Sequence, residues 1–125
     1  MPIDCHLDDD IVVVAPRGEY TTAELRAAFV DALSRATPAR ARGLLLDLSQ
    51  SLALANRPTS DVRQMGEFVA THRERFGRFA MVAPSDVAYG LMRLGSVVTE
   101  DAGVETAVFR EMGPAMQWLR GESGG

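Results

Sequence analysis

Asp47 and Ser49 stand two residues apart at the end of the apolar run GLLLDLS (residues 43–49). A carboxylate and a hydroxyl at the carboxyl end of a buried strand occupy the place where α/β proteins often keep their chemistry. As a catalytic pair they would need a base or a second acid to activate the hydroxyl, and no such residue lies close in sequence. The expectation is therefore that Asp47 binds amides of the following loop, Ser49 ends the strand, and no residue is catalytic. The other reactive side chains read the same way. Cys5 falls on an apolar face, as a small core residue does. His6 and His72 lack a second histidine three or four residues away, and Asp8, Asp9 and Asp10 lack the spacing and closing glutamate of a calcium loop, so no metal is expected. Neither GxGxxG nor GxxxxGK[ST] occurs, and no cofactor is expected. Arg73, Arg75 and Arg78 lie close enough to meet phosphates or lipid head groups, but Glu74 interrupts them, and arginine near a helix carboxyl end suits its dipole without a ligand.

The elements that hold these side chains follow from hydrophobic period. Ile3, Cys5 and Leu7 alternate with polar neighbours and predict an edge strand; Asp8 to Asp10 turn the chain, and Ile11 to Val14 is β-branched throughout, as in a central strand. Pro16 and Gly18 end it. Thr21 followed three residues on by Glu24 is a capping-box pattern, and Leu25, Ala28, Phe29, Ala32 and Leu33 predict the buried face of a helix that Pro38 closes. Leu44 to Leu48 is the next strand. After a loop, a helix begins near Thr59 or Ser60, with Val62, Met65, Phe68 and Val69 as its stripe and Gly77 at its end. Residues 78–84 predict a further buried strand, Ser85 or Asp86 the cap of a third helix, and residues 105–111 the last strand. Pro114 suits the first turn of a closing helix that buries Ala115, Trp118 and Leu119. The fold class is α/β: a mixed, mostly parallel sheet of about five strands covered by about four helices, in one domain over residues 1–121 with a disordered tail at 122–125.

Composition narrows the function classes. The 125 residues are 46% hydrophobic and 24% charged, ordinary for a soluble domain. A net charge of −4 gives no global attraction for nucleic acid or anionic lipid, so no nucleic-acid partner is expected, while peripheral membrane contact through a local basic patch is left open. One cysteine suits a reducing compartment, the start MPIDCHLDDD has no basic region before an apolar run, and no window is apolar enough to span a bilayer. The expected location is the cytoplasm, as monomer or homodimer.

The order of elements, with GLLLDLS after the first helix, resembles the STAS domain, the fold of bacterial anti-sigma factor antagonists. The second half is similar to its SpoIIAA-like branch, the STAS and CRAL-TRIO-like group. There a strand ending in A-x-V-A-P (here Ala80 to Pro84) precedes a helix with Tyr-Gly and Met (Tyr89-Gly90, Met92). A strand ending in Val-Phe-Arg (Val108 to Arg110) then leads to a helix with Ala-x-x-Trp-Leu (Ala115, Trp118-Leu119). The resemblance covers roughly residues 3–120 and implies a non-enzymatic regulatory or binding module. In phosphorylatable STAS domains an Asp-Ser-Ser-Gly-type turn follows the corresponding strand. This chain has DLSQSLALANRPTSDV instead, without a Ser-Gly pair, and Thr59 and Ser60 occupy the topological place of the phosphosite.

The third helix is the least ordinary segment. Val87, Leu91, Met92, Leu94, Val97 and Val98 make it apolar over more than one stripe, and Gly90 and Gly95 weaken it. The loop SLALANRP adds Leu52 and Leu54. Two readings remain: a helix packed closely on the sheet, or one wall of a site for an apolar or amphipathic small molecule or a protein partner, built from Leu52, Leu54, Tyr89, Met92 and Val97. The alternative function is an antagonist-type phospho-switch in a partner-switching pathway, with Thr59 or Ser60 modified.

Overall fold

The structure is a computed structural model, described for residues 3–35, 41–51 and 59–121, with the backbone alone at 59–60. It contains the expected mixed sheet of five strands, in the order β1-β2-β3-β4-β5. β1 (Ile3–Asp8) runs antiparallel to β2 (Ile11–Pro16), and their turn is closed by Asp9 at φ 57°. The remaining pairs, β2 with β3 (Ala41–Asp47), β3 with β4 (Phe76–Val82) and β4 with β5 (Thr106–Phe109), are parallel. Each parallel step is bridged by a helix: α1 (Thr22–Arg35), α2 (Thr59–Thr71) and α3 (Asp86–Asp101); α4 (Met112–Leu119) closes the order. The capping box forms as the pattern predicts. The Thr21 amide donates to Glu24 Oε1 at 2.9 Å, and the Glu24 amide to Thr21 Oγ1 at 3.1 Å. Ser85 caps α3 by accepting from the Ala88 amide at 3.1 Å.

Three boundaries differ from expectation. Gly77 does not end α2; that helix stops at Thr71, a 3-10 turn spans Arg73–Arg75, and Gly77 lies inside β4. A Cβ there would collide with the Arg42 carbonyl of β3, so the glycine serves strand approach rather than a helix stop. β5 is shorter than residues 105–111, and α4 begins at Met112, ahead of Pro114, which keeps its place in the first turn.

Consecutive strand order with right-handed crossovers puts α1, α2 and α3 on one face. Val12, Val14, Leu44, Leu46, Phe79 and Met81 meet them there in the larger core. Ile11, Val13, Leu45, Ala80 and Val82 point the other way and are covered by α4 through Ala115, Met116 and Leu119. Eight residues can cover that face only by lying close. A Cβ on Gly43 would come 2.7 Å from Leu119 Cδ2 and 3.3 Å from its Cβ, and Leu119 is 1% exposed. Arginines then hold the carboxyl end of α4, where free carbonyls concentrate negative charge. Arg78 donates to the Trp118 carbonyl at 2.6 Å and Arg42 to the Arg120 carbonyl at 2.9 Å. Arg78 also pairs with Glu105 at 3.0 Å and lies 5.0 Å over the Trp118 ring. Trp118 is accordingly half-buried between this guanidinium and Phe109, and the fully buried anchors of α4 are Ala115 and Leu119.

Two glycine substitutions should move stability in opposite directions. Gly43→Ala should lower it by about 1–3 kcal/mol, because the added methyl overlaps buried Leu119 at both Cδ2 and Cβ. Gly90→Ala should raise it by about 1 kcal/mol, since Gly90 is an exposed helical position where a Cβ meets nothing within 4 Å. Urea midpoints of the two variants check both signs.

Candidate functional site

Asp47 does what a strand-end carboxylate does locally: its Oδ1 accepts the Ser49 amide at 3.1 Å. The chain then continues to Ser51, which forms a parallel bridge with Gly18. Gly18, at φ 60°, donates its amide to the Gln50 carbonyl at 2.8 Å, and the Ser51 hydroxyl meets the Tyr20 hydroxyl at 3.0 Å. The segment between β2 and α1 is thus pinned to the one leaving β3. With both segments tied down at the carboxyl end of the sheet, the Tyr20 ring is buried.

Beneath this strap lies a cavity of about 50 Å³, bounded by the sheet and by α1, α2 and α3. Leu46, Leu48, Phe79 and Met81 form its floor; Leu25, Val62, Met65, Val69 and Met92 form its sides. Tyr20, Thr22 and Asp61 are its only polar lining residues among those described, and all three belong to the segments where α1 and α2 begin. The cavity is therefore apolar in depth and polar at one end. Two glycines define the wall between α2 and α3. A Cβ on Gly66 would meet the Gly95 carbonyl and Val98 at 3.1 Å, and one on Gly95 would meet Val62 at 3.2 Å. Gly95 permits this approach, while Gly90 faces open space; the two glycines do not share the role that their presence in one helix suggested.

Of the expected site residues, Met92 is buried and lines the cavity. Tyr89 turns instead to Arg110, whose guanidinium lies 4.3 Å over its ring and also reaches Asp86 at 2.7 Å and the Pro84 carbonyl at 3.2 Å. Val97 is 54% exposed on the outer side of α3, away from the cavity, because Gly95, Ser96 and Thr99 take the inward positions of its turn. Leu52 and Leu54 lie outside the described residues. Thr59 and Ser60 begin α2. Tyr20, Thr22, Asp61 and Gly66 were not singled out by sequence; the visible signals were the two helix starts and a glycine on the apolar stripe of α2.

The remaining polar groups are locally engaged. His72 Nδ1 is 3.0 Å from the Phe68 carbonyl, and its ring packs on Phe68 at 4.8 Å. Arg73 and Arg75 donate to the Ala70 and Leu33 carbonyls at 3.1 and 3.4 Å, so with Arg78 they point to three different places rather than one anion. Among the described residues no three His, Cys, Asp or Glu side chains are grouped to hold a metal ion, and no helix is long and apolar enough to cross a membrane.

A family model described as SpoIIAA-like matches residues 11–120. No curated protein matches. Among solved structures, the NMR structure of the protein TM1081 superposes with a TM-score of 0.54 at 18% identity, covering 93% of this chain and 86% of that one. At that identity the likeness concerns the fold.

Cys5 is half-buried against α1, with its Sγ 3.8 Å from the Ala28 carbonyl. Burial pushes its thiol pKa up; Arg35 opposes this, while Asp31 and Asp4 add to it. Less thiolate is then present near pH 8 than in a free cysteine, so iodoacetamide should alkylate the folded protein more slowly than the urea-unfolded chain. Equal rates would show that Cys5 is open to solvent as thiolate.

Proposed function

Because this chain belongs to the SpoIIAA-like family, whose members are generally non-enzymatic regulatory modules, we propose that it binds an apolar or amphipathic small molecule between its three crossover helices and the sheet. The observation that carries this reading is the cavity itself, apolar in depth and polar at one end. A core made only for stability has no need of a void, since each unfilled space forfeits packing. Each methylene moved from water into such a space contributes about 0.8 kcal/mol. At about 50 Å³ the void admits the end of an alkyl chain, and deeper entry requires α2 to move from its neighbours. Met65, Met81 and Met92 suit a wall that repacks around a guest, because methionine is unbranched and polarizable.

The protein partners typical of STAS domains favour a second reading. α2 starts at Thr59, which puts Thr59 and Ser60 in a first turn whose free amides and dipole favour phosphate. Asp61 already carries negative charge in that turn, so phosphate would add only modest stabilisation. This switch is supported if phosphorylated chain isolated from cells binds a protein that the unmodified chain does not; it is retired if no phosphate is found in growing or stressed cells.

Nile red, an uncharged apolar dye, tests the small-molecule reading. Wild type should brighten and blue-shift its emission. Met92→Phe and Met65→Phe, at a buried and a half-exposed wall position, should each abolish the change while the far-UV spectrum stays native. Emission unchanged by wild type would mean that the cavity is a packing defect.

A further inference from the structure

Arg26 lacks the acceptor that its burial calls for. It is half-buried on α1, one residue beyond Leu25, which lines the cavity. Its guanidinium lies 5.7 Å from the centre of the Phe68 ring on α2, and that ring also meets Phe29 of α1 at 6.5 Å. Arg26 thus spans the seam between α1 and α2. Its Nε is buried, and among the described residues no group accepts a hydrogen bond from it. The other half-buried arginines, Arg78 and Arg120, reach carboxylates, Glu105 at 3.0 Å and Asp8 at 3.4 Å. Residues 36–40 and 52–58 contain neither Asp nor Glu, and Asp61 at the start of α2 is already engaged. The Phe68 face attracts the cation but accepts none of its in-plane N–H groups. A charged donor withdrawn from water without an acceptor is costly, and a ligand that supplies the acceptor removes that cost.

Resting on the small-molecule reading above, we infer that Arg26 is the head-group site for that ligand, and that the ligand is a long-chain carboxylate. The tail lies in the cavity among Met65, Met81 and Met92. It leaves between Leu25 and Met65, the latter a wall residue that is itself half-exposed on the seam side. The head then meets Arg26 edge-on. There Nε–H and one Nη–H form the parallel pair that fits two carboxylate oxygens, while the Phe68 ring keeps the guanidinium face. Opening the seam for the chain also uncovers Nε, so the donor that is unsatisfied in the closed protein gains its acceptor in the loaded one. A phosphate head fits the same fork but brings further negative charge, which one guanidinium does not balance. An alcohol offers a lone pair without the charge.

Displacement of Nile red by dodecanol, dodecanoate and dodecyl phosphate, each below its aggregation concentration, separates the two claims. Wild type should bind dodecanoate at least about tenfold more tightly than dodecanol, the ratio expected for one charge-assisted hydrogen-bonded pair. Dodecyl phosphate should fall behind dodecanoate. Arg26→Gln should bring dodecanoate to within about threefold of dodecanol while dodecanol itself still displaces the dye. Should Arg26→Gln fail to fold by circular dichroism, Arg26→Lys gives the same test: it keeps the charge, loses the fork and should cut the preference by at least about threefold. If dodecanoate binds wild type no better than dodecanol, the head-group inference is wrong while the cavity reading stands. If the phosphate leads, the assignment to a carboxylate is overturned. If the folded Arg26 variants keep the wild-type ratio, Arg26 is not at the head and the inference falls. If none of the three displaces dye, or no dye binds, both readings fall together.

Discussion

Three crossovers of one hand join strands that neighbour each other in the sheet in the same order as in the chain, and this constraint delivers α1, α2 and α3 to a single face. Most other features of the molecule follow from that crowding. The opposite face is left to α4, only eight residues long, which must therefore sit directly on the sheet. Gly43 makes the approach sterically possible, and Arg42 and Arg78 give the terminal carbonyls of α4 cationic partners. The exposed ion pairs among these arginines contribute little individually, but their hydrogen bonds fix where α4 ends.

The same topology accounts for where a ligand site can and cannot be. A doubly wound sheet opens a crevice at the point where strand order reverses, and ligands bind there. No such reversal occurs in this sheet. Among the described residues, Asp47, at the end of a central strand, accepts a loop amide. Space arises instead between the helical layer and the sheet. α2 and α3 touch through Gly66 and Gly95, which draws them together at one point, and the cavity lies beside that contact, under the start of α2.

Much of this was legible in the residues alone. Alternation at Ile3, Cys5 and Leu7, the β-branched run from Ile11, the Thr21–Glu24 pair and the Ser85 cap each act within a few residues, and each predicted its element. The failures share a cause: they depend on partners distant in sequence. A glycine under a neighbouring strand's carbonyl, such as Gly77, reads the same as one that stops a helix. Gly90 and Gly95 are indistinguishable until α2 is placed against one of them. Trp118 fits a buried stripe by spacing, yet Arg78 from β4 holds it at the surface of the core. The cavity was the least legible part, because Tyr20, Asp61 and Met92 come from three separate crossovers. Met92 alone among them was singled out from the sequence, by its place in an unusually apolar helix.

The methionines provide the most direct test that the helix-covered cavity, and no other surface, takes up an amphiphile. Met65, Met81 and Met92 line it, whereas Met116 lies in the core beneath α4 and Met112 is exposed at the start of that helix. A methyl-resolved NMR titration of the folded protein with dodecanol therefore reads both faces of the sheet in one experiment. The account predicts saturable shifts of the Met65, Met81 and Met92 methyls with Met112 and Met116 unmoved. Shifts confined to Met112 and Met116, or none at any of the five, would contradict it.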